Sequence, residues 1–223
     1  MICVSINNPT PKRCAKLLES QHLQMAEILL DSAELSPEEI RAIFSLPIPL
    51  IATCRPTANR SETQRVEILL TAIDAGAAYV DIEMEATVEN RFSIFDAARA
   101  KGCKVICSYH NFECTPKKFD LNEILFICLG ASDIAKIACL AHNIDDCIRL
   151  LSLYSCDFKC FRTKTDFPKH IMVIAMGEIG KITRVAAPFL GAPFTYASIE
   201  EGQETAPGQL PQKAMETIYQ LLK

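Results

Sequence analysis

A lysine stands in the middle of SDIAKIACLA (132–141), surrounded by isoleucine, alanine, cysteine and leucine. Three readings fit Lys136. On an edge strand its ammonium would stay hydrated, but the apolar flanks argue against an edge. As a buried structural cation it would need a carboxylate, and Asp133 or Glu83 could serve. As a functional amine it needs a sheltered mouth, where desolvation frees the nitrogen lone pair for attack on a carbonyl. The preceding apolar run, CKVICSYHNF (103–112), carries His110 near its end, an imidazole suited to moving protons beside an imine.

Other polar residues fall at the ends of apolar runs: Glu27 in MAEILLDS, Arg55 in PLIATCRP, Asp81 and Glu83 in YVDIEME, and Ser108 before His110. Arg184 follows HIMVIAMG, while Thr205 and Gln209 lie in TAPGQ. Taken singly, each has an ordinary structural explanation. A histidine can cap a strand end, and an arginine can lie on the surface. Together, Arg184, Thr205 and Gln209 suit a carboxylate, which a guanidinium meets in bidentate fashion. An amine, a base and anion-binding groups, without a metal or nucleotide motif, fit lyase or aldolase chemistry on a small oxo-acid.

These residues require elements to position them. Short isoleucine- and valine-rich runs alternate with segments of helical period: ICVSI (2–6), MAEILLDS (25–32), PLIATCRP (49–56), YVDIEME (79–85), CKVICSYHNF, DIAKIACL (133–140), HIMVIAMG (170–177) and FTYASI (194–199). Ser36 and Ser61 read as helix N-caps, and Gly76 and Gly102 as stops. Near-continuous apolar strands in strict βα order imply a parallel sheet, and eight equal units favour a single (β/α)8 TIM barrel over residues 1–223. An open doubly wound sheet is the alternative, but no strand leads into a GxGxxG loop. In such barrels the chemistry sits at the C-terminal ends of the strands, where these polar residues lie.

The formal charge of −4 gives no support for nucleic-acid or anionic-membrane partners. Eleven cysteines, mostly inside apolar runs and without a CxxC pair, read as reduced core residues of a cytoplasmic protein. The closest spacings are Cys103/Cys107 and Cys156/Cys160, and four histidines make a zinc site a poor expectation. Neither a signal peptide nor an apolar run of membrane length is visible.

CSYHNF…TP (107–116), GASDIAKIA (130–138), AMG…G…TR (175–184) and TAPGQ (205–209), in this order after AEILLD, PLIATCRP and YVDIE, resemble type I 3-dehydroquinate dehydratase. The resemblance runs over nearly the whole chain. It implies a (β/α)8 barrel, usually a homodimer, that turns 3-dehydroquinate into 3-dehydroshikimate in the shikimate pathway without a cofactor. Lys136 would form the imine and His110 would act as general base and then acid. Arg184, Gln209 and Thr205 would hold the substrate carboxylate. Glu27 and Arg55 would contact ring hydroxyls, and Ser5 on the first strand completes the substrate-binding set.

Four positions depart from the family pattern. Leu29 stands where an E-x-R motif has arginine, and Asn59 where a glutamate would polarise the histidine. Asn111 replaces an aspartate, and Thr205 replaces a serine while keeping the hydroxyl. Leu29 and Asn59 each remove a charge, for which Arg60 and Glu62 are the nearest substitutes. Two other readings stay open, a different class I Schiff-base aldolase and a catalytically weakened barrel kept for binding. The loop 200–209, with Gly202 and Gly208 as hinges, is the expected lid.

Overall fold

The structure is a computed structural model that describes residues 1–130, 132–155 and 170–222 of the 223-residue chain. Cys156 and Cys160 lie outside the described residues. Strands and helices alternate as β1 (Ile2–Ile6), α1 (Pro11–Gln21), β2 (Ala26–Leu29), α2 (Pro37–Phe44), β3 (Leu50–Thr53), α3 (Glu62–Asp74), β4 (Tyr79–Glu83) and α4 (Val88–Lys101). They continue as β5 (Lys104–Asn111), α5 (Lys118–Gly130), β6 (Ile134–Leu140), α6 (Ile144–Leu151), β7 (His170–Met176), α7 (Lys181–Ala186), β8 (Thr195–Ala197) and α8 (Gln212–Leu221). Hydrogen-bonded neighbours follow the order β7-β6-β5-β4-β3-β2-β1-β8. With parallel pairing from β1 to β4 and from β5 to β7, this is the fold of a (β/α)8 barrel.

Local chemistry accounts for most element boundaries. Ser36 and Glu39 form a capping box at α2, with Glu39 N donating to Ser36 Oγ at 3.2 Å and Ser36 N donating to Glu39 Oε2 at 2.9 Å. Ser61 and Gln64 repeat it at α3. Each such cap contributes about 1 kcal/mol by satisfying amides that the first helical turn leaves unpaired. Gly102 ends α4 in the left-handed conformation. Two strands stop earlier than the apolar runs. After Leu29 the chain winds into a short 3₁₀ turn, which Ser32 Oγ closes on the Leu29 carbonyl at 2.6 Å. Arg55 lies beyond the end of β3, ahead of Pro56, and its backbone N donates to Asp31 Oδ1 at 2.9 Å.

By packing, the chain divides into two compact units: Cys3–Val105, and Met1–Ile2 with Ile106–Lys223. In the first, Leu69 and Ile73 of α3 and Ile94 and Ala98 of α4 are buried along with Ile28, Ile51 and Val80 of the strands. In the second, Leu121 and Leu125 of α5, Leu150 of α6 and Met215 of α8 cover strands whose residues are buried on both faces. A buried leucine or isoleucine of this kind contributes about 1.5–3 kcal/mol.

Candidate active site

Within the second unit, Lys136 lies mid-strand on β6 and is 4% exposed. Register pairs it with Ser108 on β5 and Met172 on β7. Residues two apart on a strand share a face, so His110, two positions after Ser108, points to the same side as Lys136. It stands about 6.6 Å further along the strand direction. The ammonium of Lys136 lies 4.3 Å from the centre of the Tyr196 ring, which comes from β8. Tyr196 is itself buried and meets Phe194 edge-on at 5.6 Å. A buried cation is costly, and an aromatic face offsets part of that cost without a formal negative charge. His110 stacks on Phe112, with ring centres 6.1 Å apart and planes 12° apart. Just beyond, Asn111 Oδ1 accepts from the backbone N of Glu113 and Cys114, turning the chain out of β5.

The same unit assembles Arg184, Thr205 and Gln209. Gln209 Oε1 accepts from Thr205 N at 2.7 Å and from Thr205 Oγ1 at 3.1 Å. Arg184, 1% exposed, donates from Nη2 to the Pro207 carbonyl at 3.1 Å. Two glycines make this approach possible. A Cβ on Gly180 would lie 2.1 Å from the Ala175 carbonyl oxygen, so only glycine lets α7 start so close to β7. Thr183 Oγ1 then bridges Ala175 N and Gly180 O, placing Arg184 one residue on. Gly208 has φ +74°, and a Cβ there would lie 2.3 Å from the Gly177 carbonyl oxygen. Gly177 N donates to Pro207 O at 3.2 Å. The TAPGQ segment is therefore seated on the end of β7, and Gly208 anchors the loop there by close backbone contact, whereas the sequence suggested a hinge.

The first unit holds a polar cluster of its own. Glu27 is 4% exposed and accepts hydrogen bonds from Ser5 Oγ at 2.7 Å and Thr53 Oγ1 at 3.0 Å. Register supports this, since Ser5 pairs with Glu27 and Glu27 with Ile51, two residues before Thr53. Arg55 grips Asp81 with Nη1 at 3.2 Å and Nη2 at 3.0 Å, and Nη1 also meets Glu83 Oε1 at 2.6 Å. Burial works against the Arg55 charge, but Asp81, Glu83 and Glu27 outweigh it and hold its pKa above the ordinary arginine value. Glu83 is shared: its Oε2 accepts from Arg65 Nη1 at 2.6 Å.

Arg65 and Tyr196 are absent from the set suggested by sequence. Arg65, three residues after Glu62 on α3, has the spacing of an ordinary surface helix pair, yet its side chain is 2% exposed. For Tyr196 the available signal was a large aromatic in FTYAS, on the strand that follows the Arg184 segment. The two suggested substitutes for the lost charges have other work. Arg60 donates to the Leu30 and Ala33 carbonyls at 3.3 Å each and to Glu34 at 3.2 Å. Glu62 is bound by Arg65 and Asn90, and hydrogen bonds from Arg65 hold its pKa below the usual range. Leu29 is half-buried opposite Thr53, and Asn59 is exposed in the tight turn closed by Arg60 N on Thr57 O. Glu83, one proposed counter-ion for Lys136, pairs with Arg55 and Arg65.

Among the described residues, no group of three or more His, Cys, Asp or Glu is placed to hold a metal ion. Nor is any helix long and apolar enough to cross a membrane. The chain is 35% identical to 3-dehydroquinate dehydratase of Methanosarcina acetivorans, over 96% of this chain and 91% of that protein. It is 30% identical to 3-dehydroquinate dehydratase of Methanocaldococcus jannaschii, over 100% of this chain and 99% of that protein. Among solved structures, type I 3-dehydroquinate dehydratase from Clostridium difficile with covalently modified comenic acid superposes with a TM-score of 0.82 at 26% identity. That match covers 99% of this chain and 91% of the other. The family described as type I 3-dehydroquinase matches residues 2–223. The chain belongs to the type I 3-dehydroquinase family, a family of hydro-lyases.

Proposed function

We propose that this chain dehydrates 3-dehydroquinate to 3-dehydroshikimate through an imine on Lys136, as one catalytic domain working as a cytoplasmic homodimer without a cofactor. The observation that carries the proposal is a lysine buried mid-strand against an aromatic face, with a histidine on the same side of the neighbouring strand. Lys136 Nζ attacks the C3 ketone, a C–N bond forms, and the carbonyl oxygen leaves as water. The resulting iminium acidifies C2. His110 takes the C2 proton, and the electron pair moves toward nitrogen to give an enamine. Those electrons then expel the C1 hydroxyl, which departs as water with the proton from His110. Hydrolysis of the conjugated iminium releases the enone and restores Lys136, so the net change is loss of one water.

Arg184, Thr205 and Gln209 hold the substrate carboxylate, and their convergence on TAPGQ supports that role. Arg55, Glu27 and Ser5 contact ring hydroxyls, supported by the fixed polar cluster that surrounds them. Mixing the protein with 3-dehydroquinate tests the reading through the absorbance of the conjugated product. Borohydride should add substrate mass at Lys136, and Lys136→Ala should abolish both signals. Wild-type protein that produces no enone would refute it.

A weakened barrel is the second reading, favoured by one observation. Neither Arg60 nor Glu62 is available to replace the charges missing at Leu29 and Asn59, because both are bound elsewhere. Trapping at Lys136 without turnover would select it.

A further inference from the structure

Arg65 is a cation with almost no exposed surface, and its hydrogen bonds to Glu62, Cys54 and Glu83 lie within the first unit. Its Nε and Nη2 fork onto Glu62 at 2.8 and 2.5 Å. Nη1 reaches the Cys54 carbonyl at 3.0 Å and Glu83 Oε2 at 2.6 Å. Cys54 is the residue immediately before Arg55, so Arg65 touches the Arg55 segment twice, once through the backbone and once through Glu83. Glu83 presents its second oxygen, Oε1, to Arg55 Nη1 at 2.6 Å. Asp81 spans Nη1 and Nη2 of the same guanidinium, sharing Nη1 with Glu83.

We infer that Arg65 is a positioning residue for Arg55, acting through Glu83. The inference rests on the proposed role of Arg55 in substrate binding. The reason lies in the geometry of carboxylates. With both oxygens of Glu83 claimed by different guanidinium groups, the carboxylate cannot turn to meet Arg55 in bidentate fashion. Asp81 can then hold the Arg55 fork in one plane. Without Arg65, Glu83 is a buried carboxylate with one cation left. Arg55 Nη1, 2.6 Å from Glu83 but 3.2 Å from Asp81, is then drawn further onto Glu83 and loosens its hold on the fully buried Asp81. Arg55 then no longer presents the face set by β4. Asn90 Nδ2 on Glu62 Oε1 at 3.3 Å completes the support from α4.

The test is a kinetic double-mutant cycle on 3-dehydroquinate with Arg65→Met, Glu83→Gln and the double variant, alongside thermal unfolding. Arg65→Met is expected to raise KM roughly ten- to hundredfold, the scale of loss when a binding group is misplaced by an ångström. kcat is expected to stay within about threefold, because the lost contact serves bound substrate and transition state alike. In the Glu83→Gln background, Arg65→Met should change KM by less than about twofold, since the route runs through that carboxylate. A crystal structure of Arg65→Met should show Arg55 withdrawn from Asp81.

A lowered melting temperature with wild-type KM would make Arg65 purely structural and overturn the inference. So would KM effects that multiply in the double variant, or an Arg55 that keeps its bidentate grip on Asp81. If Arg65→Met does not fold, Arg65→Gln removes the charge more gently, and the same readings apply. Wild-type protein that leaves 3-dehydroquinate unchanged would refute the proposed function instead, while the position of Arg55 in the variant crystal would still decide the inference.

Discussion

Lys136 Nζ lies 4.3 Å from the centre of the Tyr196 ring, so the buried amine has an aromatic face beside it. A ring stabilises a cation without being able to take its proton. The contact suits a nitrogen that becomes a cationic iminium in the proposed reaction.

Tyr196→Phe keeps that face and Tyr196→Leu removes it. The first should retain imine trapping at Lys136 within about twofold, because a phenyl ring carries a comparable quadrupole. The second loses both the ring contact and packing against Phe194, for about 3 kcal/mol of stability. In a chain of this size that lowers the melting temperature by roughly 6–12 °C, readable by calorimetry. Equal losses in both variants would assign the effect to the hydroxyl and refute the ring's role.

Lys136→Met should separate activity from stability. Turnover should drop by roughly 10⁴-fold or more, since the imine cannot form. Stability should change little beside that loss, because a methionine of similar length keeps the packing against the Tyr196 ring. Steady-state assays and urea unfolding of one protein preparation measure both. A marked loss of stability would show that the amine is structural.

Gly208→Ala should damage the carboxylate grip and leave the imine chemistry largely intact. The new methyl meets the Gly177 carbonyl oxygen at a distance no Cβ tolerates, at a φ that disfavours any L side chain. The expected cost is about 1–3 kcal/mol, with KM raised and Lys136 still trapped by borohydride at high substrate. An unchanged KM would separate the turn from substrate binding.

The thiols predict an alkaline limit. Burial pushes Cys14 and Cys54 up to about 11 and Cys139 up to about 12, from an ordinary value of 9.0. A raised folded-state value means the folded protein holds its proton longer than the unfolded chain. That stability is fully present below pH 9 and is lost as pH rises through 11 to 12. Urea midpoints measured from pH 8 to 11 should fall, and Cys139→Ala should flatten the decline. At pH 8, alkylation should label exposed Cys114 ahead of the buried thiols.

Much of this was legible in the sequence because the signals were local. The Ser36 and Ser61 caps, the Gly102 stop and the period of the strands each depend on neighbours a few residues away. The resemblance added what periodicity could not, the expected roles of Lys136 and His110. Arg65 escaped because its spacing from Glu62 is that of a solvated helix pair, and only the tertiary approach of α3 to Glu83 buries it. Tyr196 escaped for a similar reason, as sixty residues separate it from the lysine it faces. β2 ended at Leu29, short of its apolar run, because Ser32 offered the Leu29 carbonyl a competing hydrogen bond.

The seat of Gly208 on Gly177 divides the last long loop into a heel and a toe. The heel, from Thr205 to Gln209, is fixed by backbone contact with β7, and its own base is pinned where Ser198 N meets the Leu210 carbonyl and Gln212 N returns to Ser198. The toe, from Glu200 to Glu204, folds on itself, with Gly202 N donating to Glu204 Oε1 and Gln203 N to the Glu200 carbonyl. Lengthening or shortening the toe therefore leaves the Thr205–Gln209 contact in register, while a single inserted residue in the heel displaces Thr205 from Gln209. Descendants of this gene are free to remodel one part of the loop and bound to keep the other.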